Sequence, residues 1–435
     1  MKVDQAYLKY ITSKKVLIVD RSVSRRSMMA RSLTVLGFRV NQVFAVETLA
    51  GARRIIETEK PRILITEFSV FDELYLSLIQ KIKTYEPKQN QRLILLMTSQ
   101  PTESSLAQAA EEEVDGYLLH PFHHQKFEKY FYDLIQRKIY PNEYQKLILS
   151  GKKSLETFSL DQAMSFFEKA KVKTEKPTLA WFYLAETFRQ KHHDEKAIEC
   201  YQKGLALDPS HFKCLQGVFD TYLHLGRIDD AYRIATQIAR QFPLTPEKLK
   251  LLIELCIRTQ NYDDVIWAYQ LFQKIEDPDV VLKKTLSVAL VTSGAFHLEQ
   301  KKTQQAKSYF KLALRVSYRK PVLIQKIIDY CIHAKEVEMA LEFLESFRRP
   351  DLNSVEYRIA HYRVFDATHS VGQSISKGRQ LLKEGIVHPA VFEILIKRTL
   401  DAGFADTAEH LLHQAIRAFP SERNQFEKRF RSLAK

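Results

Sequence analysis

Glycine is scarce in this sequence, only 12 of 435 residues. So little of it argues against a loop-rich or largely β chain and for many helices. Cysteine is rarer still, with four residues. Cys200, Cys214, Cys256 and Cys331 stand far apart with no CxxC pair, which suggests neither a disulfide framework nor a metal site. They read as reduced, buried thiols of a reducing cytoplasm. No run reaches the roughly 18 apolar residues of a membrane-spanning helix. The first residues, "MKVDQAYLKY", are too polar for a signal peptide. A cytoplasmic chain without membrane insertion is therefore expected. Also missing are a nucleophile–base set and a phosphate-binding loop, so no enzymatic activity and no cofactor are expected.

What is present is ordinary in bulk: 45% hydrophobic and 27% charged residues, with 26 Phe and 20 Tyr. The length suits two or three domains, each burying its own core. The formal charge of +14 suits an acidic partner, nucleic acid or an anionic surface. Lysines and arginines are nevertheless scattered among acids, and neither an aromatic-plus-basic RNA signature nor zinc-finger spacing accompanies them. A nucleic-acid-associated solenoid is the least favoured reading.

From Lys14 to about Phe127, short apolar strands alternate with amphipathic helices. "KVLIVD" (15–20), "FRVNQVF" (38–44), "RILITE" (62–67), "RLILLMTS" (92–99) and "GYLLHPF" (116–122) read as strands. Residues 24–37, 46–59, 72–85, 104–114 and 124–140 read as helices. Near-continuous apolar strands between helices predict a parallel sheet covered on both faces, a doubly wound α/β domain. Such sheets carry their sites beyond the carboxyl ends of the strands. Those ends hold Asp20-Arg21, Glu67, Thr98-Ser99 and His120-Pro121.

These stretches resemble the receiver domain of bacterial two-component response regulators. "VLIVDRS" is similar to its acidic pair, "ILITE" to its phosphoacceptor strand, "LLMTS" to its switch-hydroxyl strand. "GYLLHPF" resembles the strand with the switch aromatic followed by Lys-Pro-Phe. The resemblance rests on Asp20, Thr98, Tyr117, Pro121 and Phe122, and implies a flavodoxin-like fold over residues 1–127 with a cis His120–Pro121 peptide.

Three of the chemical positions depart from that pattern. In the family, two carboxylates and an acceptor aspartate surround Mg²⁺, which wants oxygen ligands. Here Arg21 stands at the second acidic position. Glu67 stands at the acceptor, one methylene too long for in-line phosphoryl transfer. His120 replaces the lysine and is at most partly charged at neutral pH. The expectation is a pseudo-receiver in which Glu67 pairs permanently with Arg21, with His120 nearby, where Mg²⁺ and phosphate would sit. Coupling to Thr98 and Tyr117 then holds one switch state; a pocket kept only as fold is the alternative. "HPFHH" (120–124) offers three histidines, but His123 and His124 read as the solvent-facing start of a helix, and no metal is expected.

Beyond a helical linker at 128–143, a 34-residue period begins. Windows at 144, 178 and 212 place Ala163, Ala197 and Ala231 at their twentieth position. "PTLAWFYLAETFRQKHHDEKAIECYQKGLALDPS" (177–210) closely resembles the tetratricopeptide repeat, with Trp181, Leu184, Ala185, Phe188, Ala197, Tyr201 and Pro209 at signature positions. A degenerate window at 246 follows. After an insertion near 280–286 the period resumes at 287, 321, 355 and 389. About eight repeats over 144–422 and a capping helix at 423–435 are expected, with Trp181 and the Phe/Tyr stripe in the core.

The first helix of each such hairpin lines a concave face. Glu186, Asp220, Glu254 and Asp329 fall at inward positions, with Phe182, Arg189, Lys250 and Arg258 nearby. That set suits an extended or helical peptide carrying some positive charge; the bland counterpart is a solvated face of mixed charge. The sequence thus points to a non-catalytic signalling adaptor. Its receiver-like face would dock on a signalling partner or on a second copy of the chain, and its groove on another protein. A docking inhibitor or phosphate sink of a sensor kinase is the alternative.

Overall fold

The computed structural model describes residues 4–67, 73–86, 91–98, 114–242, 244–275 and 278–433, with the backbone alone for 73–77. The helix expected at 104–114 and Ser99 lie outside the described residues, apart from Val114. The chain divides into two compact units, Met1–Leu244 and Thr245–Lys435.

The first unit opens with a helix the sequence reading did not contain, α1 (Gln5–Thr12). Asp4 caps it by accepting from the Tyr7 backbone N–H at 2.6 Å. Five strands follow: β1 (Val16–Val19), β2 (Val43–Val46), β3 (Ile63–Glu67), β4 (Leu93–Thr98) and β5 (Gly116–Leu119). All pair in parallel in the order β2-β1-β3-β4-β5. That order is compatible with a flavodoxin-like domain. The strand expected at 38–44 begins only at Val43. Gly37, at φ +96°, ends the preceding helix, and a 3₁₀ turn, Val40–Gln42, uses up the intervening residues.

Alternation along the strands builds two cores. Val16, Ile18, Ile63, Ile65, Leu93 and Leu95 face α1, α2 (Val23–Val35) and α5 (His124–Ile139). Leu17, Val19, Leu64, Ile94 and Leu96 face α3 (Leu49–Glu59) and α4 (Glu73–Tyr85). Both faces are therefore apolar, which explains the near-continuous hydrophobic runs. The His120–Pro121 peptide is cis, as expected.

Three antiparallel helix pairs complete this unit: α6 (Glu143–Glu156) with α7 (Leu160–Lys171), α8 (Thr178–Gln190) with α9 (Asp194–Leu207), and α10 (Phe212–His224) with α11 (Ile228–Gln241). Ala163, Ala197 and Ala231 are fully buried where the helices cross, since only a small side chain lets two backbones approach. Phe167 and Tyr201 are fully buried beside them. Trp181 departs from expectation. It is half-buried, and the ammonium groups of Lys171 and Lys203 lie 4.1 and 5.0 Å from its ring centre, shielding an aromatic face that the packing leaves open.

The second unit holds five more pairs: α12 (Pro246–Arg258) with α13 (Asp264–Phe272), α14 (Val280–Glu299) with α15 (Thr303–Val316), α16 (Pro321–His333) with α17 (Val337–Leu344), α18 (Val355–Thr368) with α19 (Val371–Lys383), and α20 (Pro389–Asp401) with α21 (Ala405–Ala418). Helix α22 (Arg423–Leu433) closes it. α14 runs for 20 residues against 13 or 14 in the other first helices. The extra residues near 280–286 are thus added helix, not a loop. All four cysteines are buried and free.

Candidate functional site

The first candidate lies beyond the carboxyl ends of β1 and β3. Asp20, directly after β1, is fully buried. Its carboxylate accepts from the Ser22 backbone N–H at 2.7 Å and from Arg25 Nε and Nη2 at 2.7 and 2.8 Å. Arg25 Nη2 also lies 2.9 Å from Glu67 Oε2. One planar guanidinium thus spans both carboxylates, a geometry that its fixed fork of donors suits. The hydrogen bonds to Asp20, followed by the charges of Asp20 and Glu67, raise the Arg25 pKa against the opposing effect of burial.

This corrects the expected partner. The cation assigned to Arg21 belongs to Arg25, one helical turn further on. Arg21 follows the strand end at an exposed position. Arg25 sits in the first turn of α2, and helical side chains lean back toward the amino terminus, here toward Asp20 and Glu67. Ser22 starts that turn by accepting from the Arg25 backbone N–H.

His120 borders the pocket, but not as a second cation. Burial first, then the Arg25 charge, hold its pKa below the ordinary histidine value, against the pull of Asp20 and Glu67. Its ring stacks on Phe122 at 4.7 Å, and its Nε2 is buried with no hydrogen-bond partner among the described residues. Thr98 ends β4, buried, and its carbonyl accepts from the His120 N–H at 2.9 Å. Tyr117 is half-buried and packs against the core that faces α3 and α4; burial raises its phenol pKa. The donor set does not fit Mg²⁺. A single guanidinium already bridges both carboxylates, and no group of three His, Cys, Asp or Glu side chains able to hold a metal occurs among the described residues.

The second candidate is a cleft of about 430 Å³ between the first helices of the three pairs in the first unit. It brings together four residues singled out in the sequence: Phe182, Glu186, Arg189 and Asp220. The half-buried Phe182 ring meets Tyr183 at 5.0 Å and Tyr201 at 6.0 Å. Glu186 accepts from the Tyr201 hydroxyl and lies 3.5 Å from Arg189. Burial, then the Glu186 charge, raise the Tyr201 pKa, so the phenol stays the donor. Gly217 makes this possible: a Cβ there would stand 2.3 Å from the Tyr201 ring. Gln216 donates to Asp220 at 2.8 Å.

Sequence reasoning missed Lys152 and Lys213, which also line the cleft. With Arg189 they balance Glu156, Glu186 and Asp220, so the expected acidic row is a rim of alternating charge around an aromatic floor. The remaining groove candidates are in the second unit. Lys250 and Glu254 pair at 3.7 Å along α12, which Arg258 ends. Asp329 differs from expectation. It is half-buried and paired with Arg363 at 2.8 Å. Burial raises its pKa against the pull of Arg363, and it serves as an internal tie between α16 and α18.

Residues 178–211 match the family model of the tetratricopeptide repeat, the stretch that forms α8 and α9. No curated protein matches the sequence significantly. Among solved structures, a tetratricopeptide repeat protein from Parabacteroides merdae is 16% identical, with a TM-score of 0.30, covering 59% of this chain and 99% of its own. The quorum sensor NprR from B. thuringiensis is 11% identical, with a TM-score of 0.29, covering 67% and 93%. Pseudomonas aeruginosa PilF is 20% identical, with a TM-score of 0.21, covering 55% and 91%.

Proposed function

We propose that this chain is a non-catalytic signalling adaptor, a phosphorylation-deficient receiver-like domain coupled to a helical-repeat protein-binding scaffold. The observation that carries the reading is the Arg25 fork across Asp20 and Glu67. Phosphoryl transfer to a carboxylate needs a nucleophilic oxygen in line with the phosphorus and a cation to gather the phosphate oxygens. Here the acceptor-position carboxylate is engaged by a cation of the protein's own, which supplies half of the metal's charge and none of its coordination of phosphate. The domain then signals by docking. The cleft around Phe182 supplies the protein-binding side, with an aromatic floor for an apolar anchor and paired charges to orient a peptide.

A phosphate sink requires a free acceptor, so the Arg25 contact favours the docking form of kinase inhibition over the sink form. The test is intact-mass measurement of the full chain after incubation with acetyl phosphate and Mg²⁺. No added phosphate is expected. A phosphoryl adduct that disappears in Glu67→Gln overturns the reading.

A further inference from the structure

The second unit does not distribute its exposed apolar side chains evenly. Eleven large hydrophobic residues are exposed among the described residues of 245–435, and seven belong to one edge of the helical stack. Val280 and Val281 open α14, Tyr318 lies in the turn after α15, and Val322 opens α16. Leu352 and Val355 bracket the start of α18, and Val387 precedes α20. In antiparallel pairs each helix start lies beside the preceding helix end, which gathers these residues. Lys283 Nζ sits 5.8 Å from the Tyr318 ring centre, Phe347 packs on Tyr357 at 5.2 Å, and Arg358 pairs with Glu384 at 2.5 Å.

The same edge carries unpaired positive charge. Lys284, Arg315, Arg319, Lys320 and Arg349 are exposed, and none is in an ion pair among the described residues. Nearby acids are mostly engaged: Asp279 caps α14 through the Leu282 N–H at 2.6 Å, Asp351 holds Arg348 at 2.9 Å, and Glu384 holds Arg358. Glu345 and Glu356 remain, and Glu276 and Asp277 lie outside the described residues. Tyr318 and Arg319 both adopt positive φ, 53° and 57°. The tightened turn leaves Tyr318 68% exposed, with the Lys283 ammonium beside its ring.

We propose that this edge docks on an anionic phospholipid membrane surface. Cations attract the headgroups, each contributing about 1 kcal/mol near such a surface, while the valines and Tyr318 enter the headgroup–acyl boundary. The apolar share decides between polyanions. A nucleic acid rewards cations and stacking aromatics and gains nothing from exposed valines, and of the seven residues on this edge six are aliphatic and only one is aromatic. The docking is peripheral, since no helix among the described residues is long and apolar enough to cross a membrane.

Co-sedimentation of the full chain with phosphatidylcholine vesicles, with and without roughly one-third phosphatidylserine, tests this at about 0.1 M salt. Binding is expected only to the anionic vesicles. Arg319→Glu with Lys320→Glu should weaken it at least about thirtyfold, since each lost cation is worth about fivefold. Val280→Ser with Val281→Ser should weaken it several-fold. Lys301→Glu with Lys302→Glu, at the opposite edge, should leave it unchanged, with circular dichroism confirming that each variant is folded. The proposal fails if neutral vesicles bind as well, if no vesicles bind, or if the opposite-edge variant loses as much. It also fails if the valine variant binds normally and duplex DNA competes the protein off, which would make the edge a nucleic-acid surface.

Discussion

Replacing Arg25 by alanine removes three contacts at once: two hydrogen bonds to the buried Asp20, at 2.7 and 2.8 Å, and the 2.9 Å bridge to Glu67. Among the described residues, Asp20 then keeps only the Ser22 N–H. Breaking a buried ion pair from one side costs about 3–5 kcal/mol, because the abandoned charge stays desolvated. The Arg25 side chain is 32% exposed, so water can enter the space it leaves, which points to the lower end, about 3 kcal/mol. The Glu67 contact, 26% exposed on the carboxylate side, adds no more than about 1 kcal/mol. A chain of two units need not unfold in one step. The suitable readout is therefore local, backbone hydrogen exchange of the strands followed by mass spectrometry. At about 1.4 kcal/mol per factor of ten, peptides covering β1 and β3 should exchange about a hundredfold faster, while those of 245–435 stay unchanged.

The partner variant isolates the cause. In an Asp20→Asn background the pocket holds no buried charge, so Arg25→Ala should cost only about 1 kcal/mol, leaving a coupling of about 2 kcal/mol between the two sites. If the two substitutions are additive, or if β1 exchange rises less than about fivefold in Arg25→Ala, the guanidinium is not what compensates the Asp20 charge.

Other outcomes follow from the repeats. His192 turns the α8–α9 pair at φ +58°, a region that charges β-carbon sterics to any residue but glycine, so His192→Gly should raise the stability of that pair by about 0.5–1 kcal/mol in hydrogen exchange. Burial holds the fully enclosed His297 below its usual pKa, against Asp263 at 3.2 Å. Between that lowered value and about 6.5 the unfolded chain carries a proton the folded chain lacks, so stability rises with pH through this window and is lost below it. His297→Phe should flatten the melting temperature between about pH 7 and 5, and an unchanged slope would refute it. Peptides selected from a random library on the full chain should lose about tenfold or more in affinity for Phe182→Ala, the aromatic floor of the cleft. Equal affinity would place their site elsewhere.

How far the sequence could be read depended on whether a residue repeats its task. Ala163, Ala197 and Ala231 are visible at a fixed spacing because every helix crossing makes the same steric demand, and all three are fully buried. The strand ends at Asp20 and Glu67 are visible because a parallel sheet covered on both faces makes apolar runs that stop abruptly. The turns within the pairs are repetitive too, yet stayed hidden. Seven of the eight pass through a left-handed residue, and five of those, Phe158, His192, Gln260, Lys301 and Lys335, are not glycine. What holds them is backbone geometry. The residue after each left-handed position donates to a carbonyl five residues back, as from His193 to Phe188 at 2.9 Å and from Lys302 to His297 at 2.9 Å, a device that leaves no side-chain signature. Single-use contacts were hidden for a different reason. Tyr7 and Ile11 bury α1, but eight residues are too few for a period to show. Arg21 and Arg25 are equally basic, and Arg21 was expected because it stands at the second acidic position of the receiver-like pattern. The distance that matters runs back along a helix turn, so in a strand-then-helix unit the residue about one turn into the helix is the better guess for what meets the strand-end carboxylate.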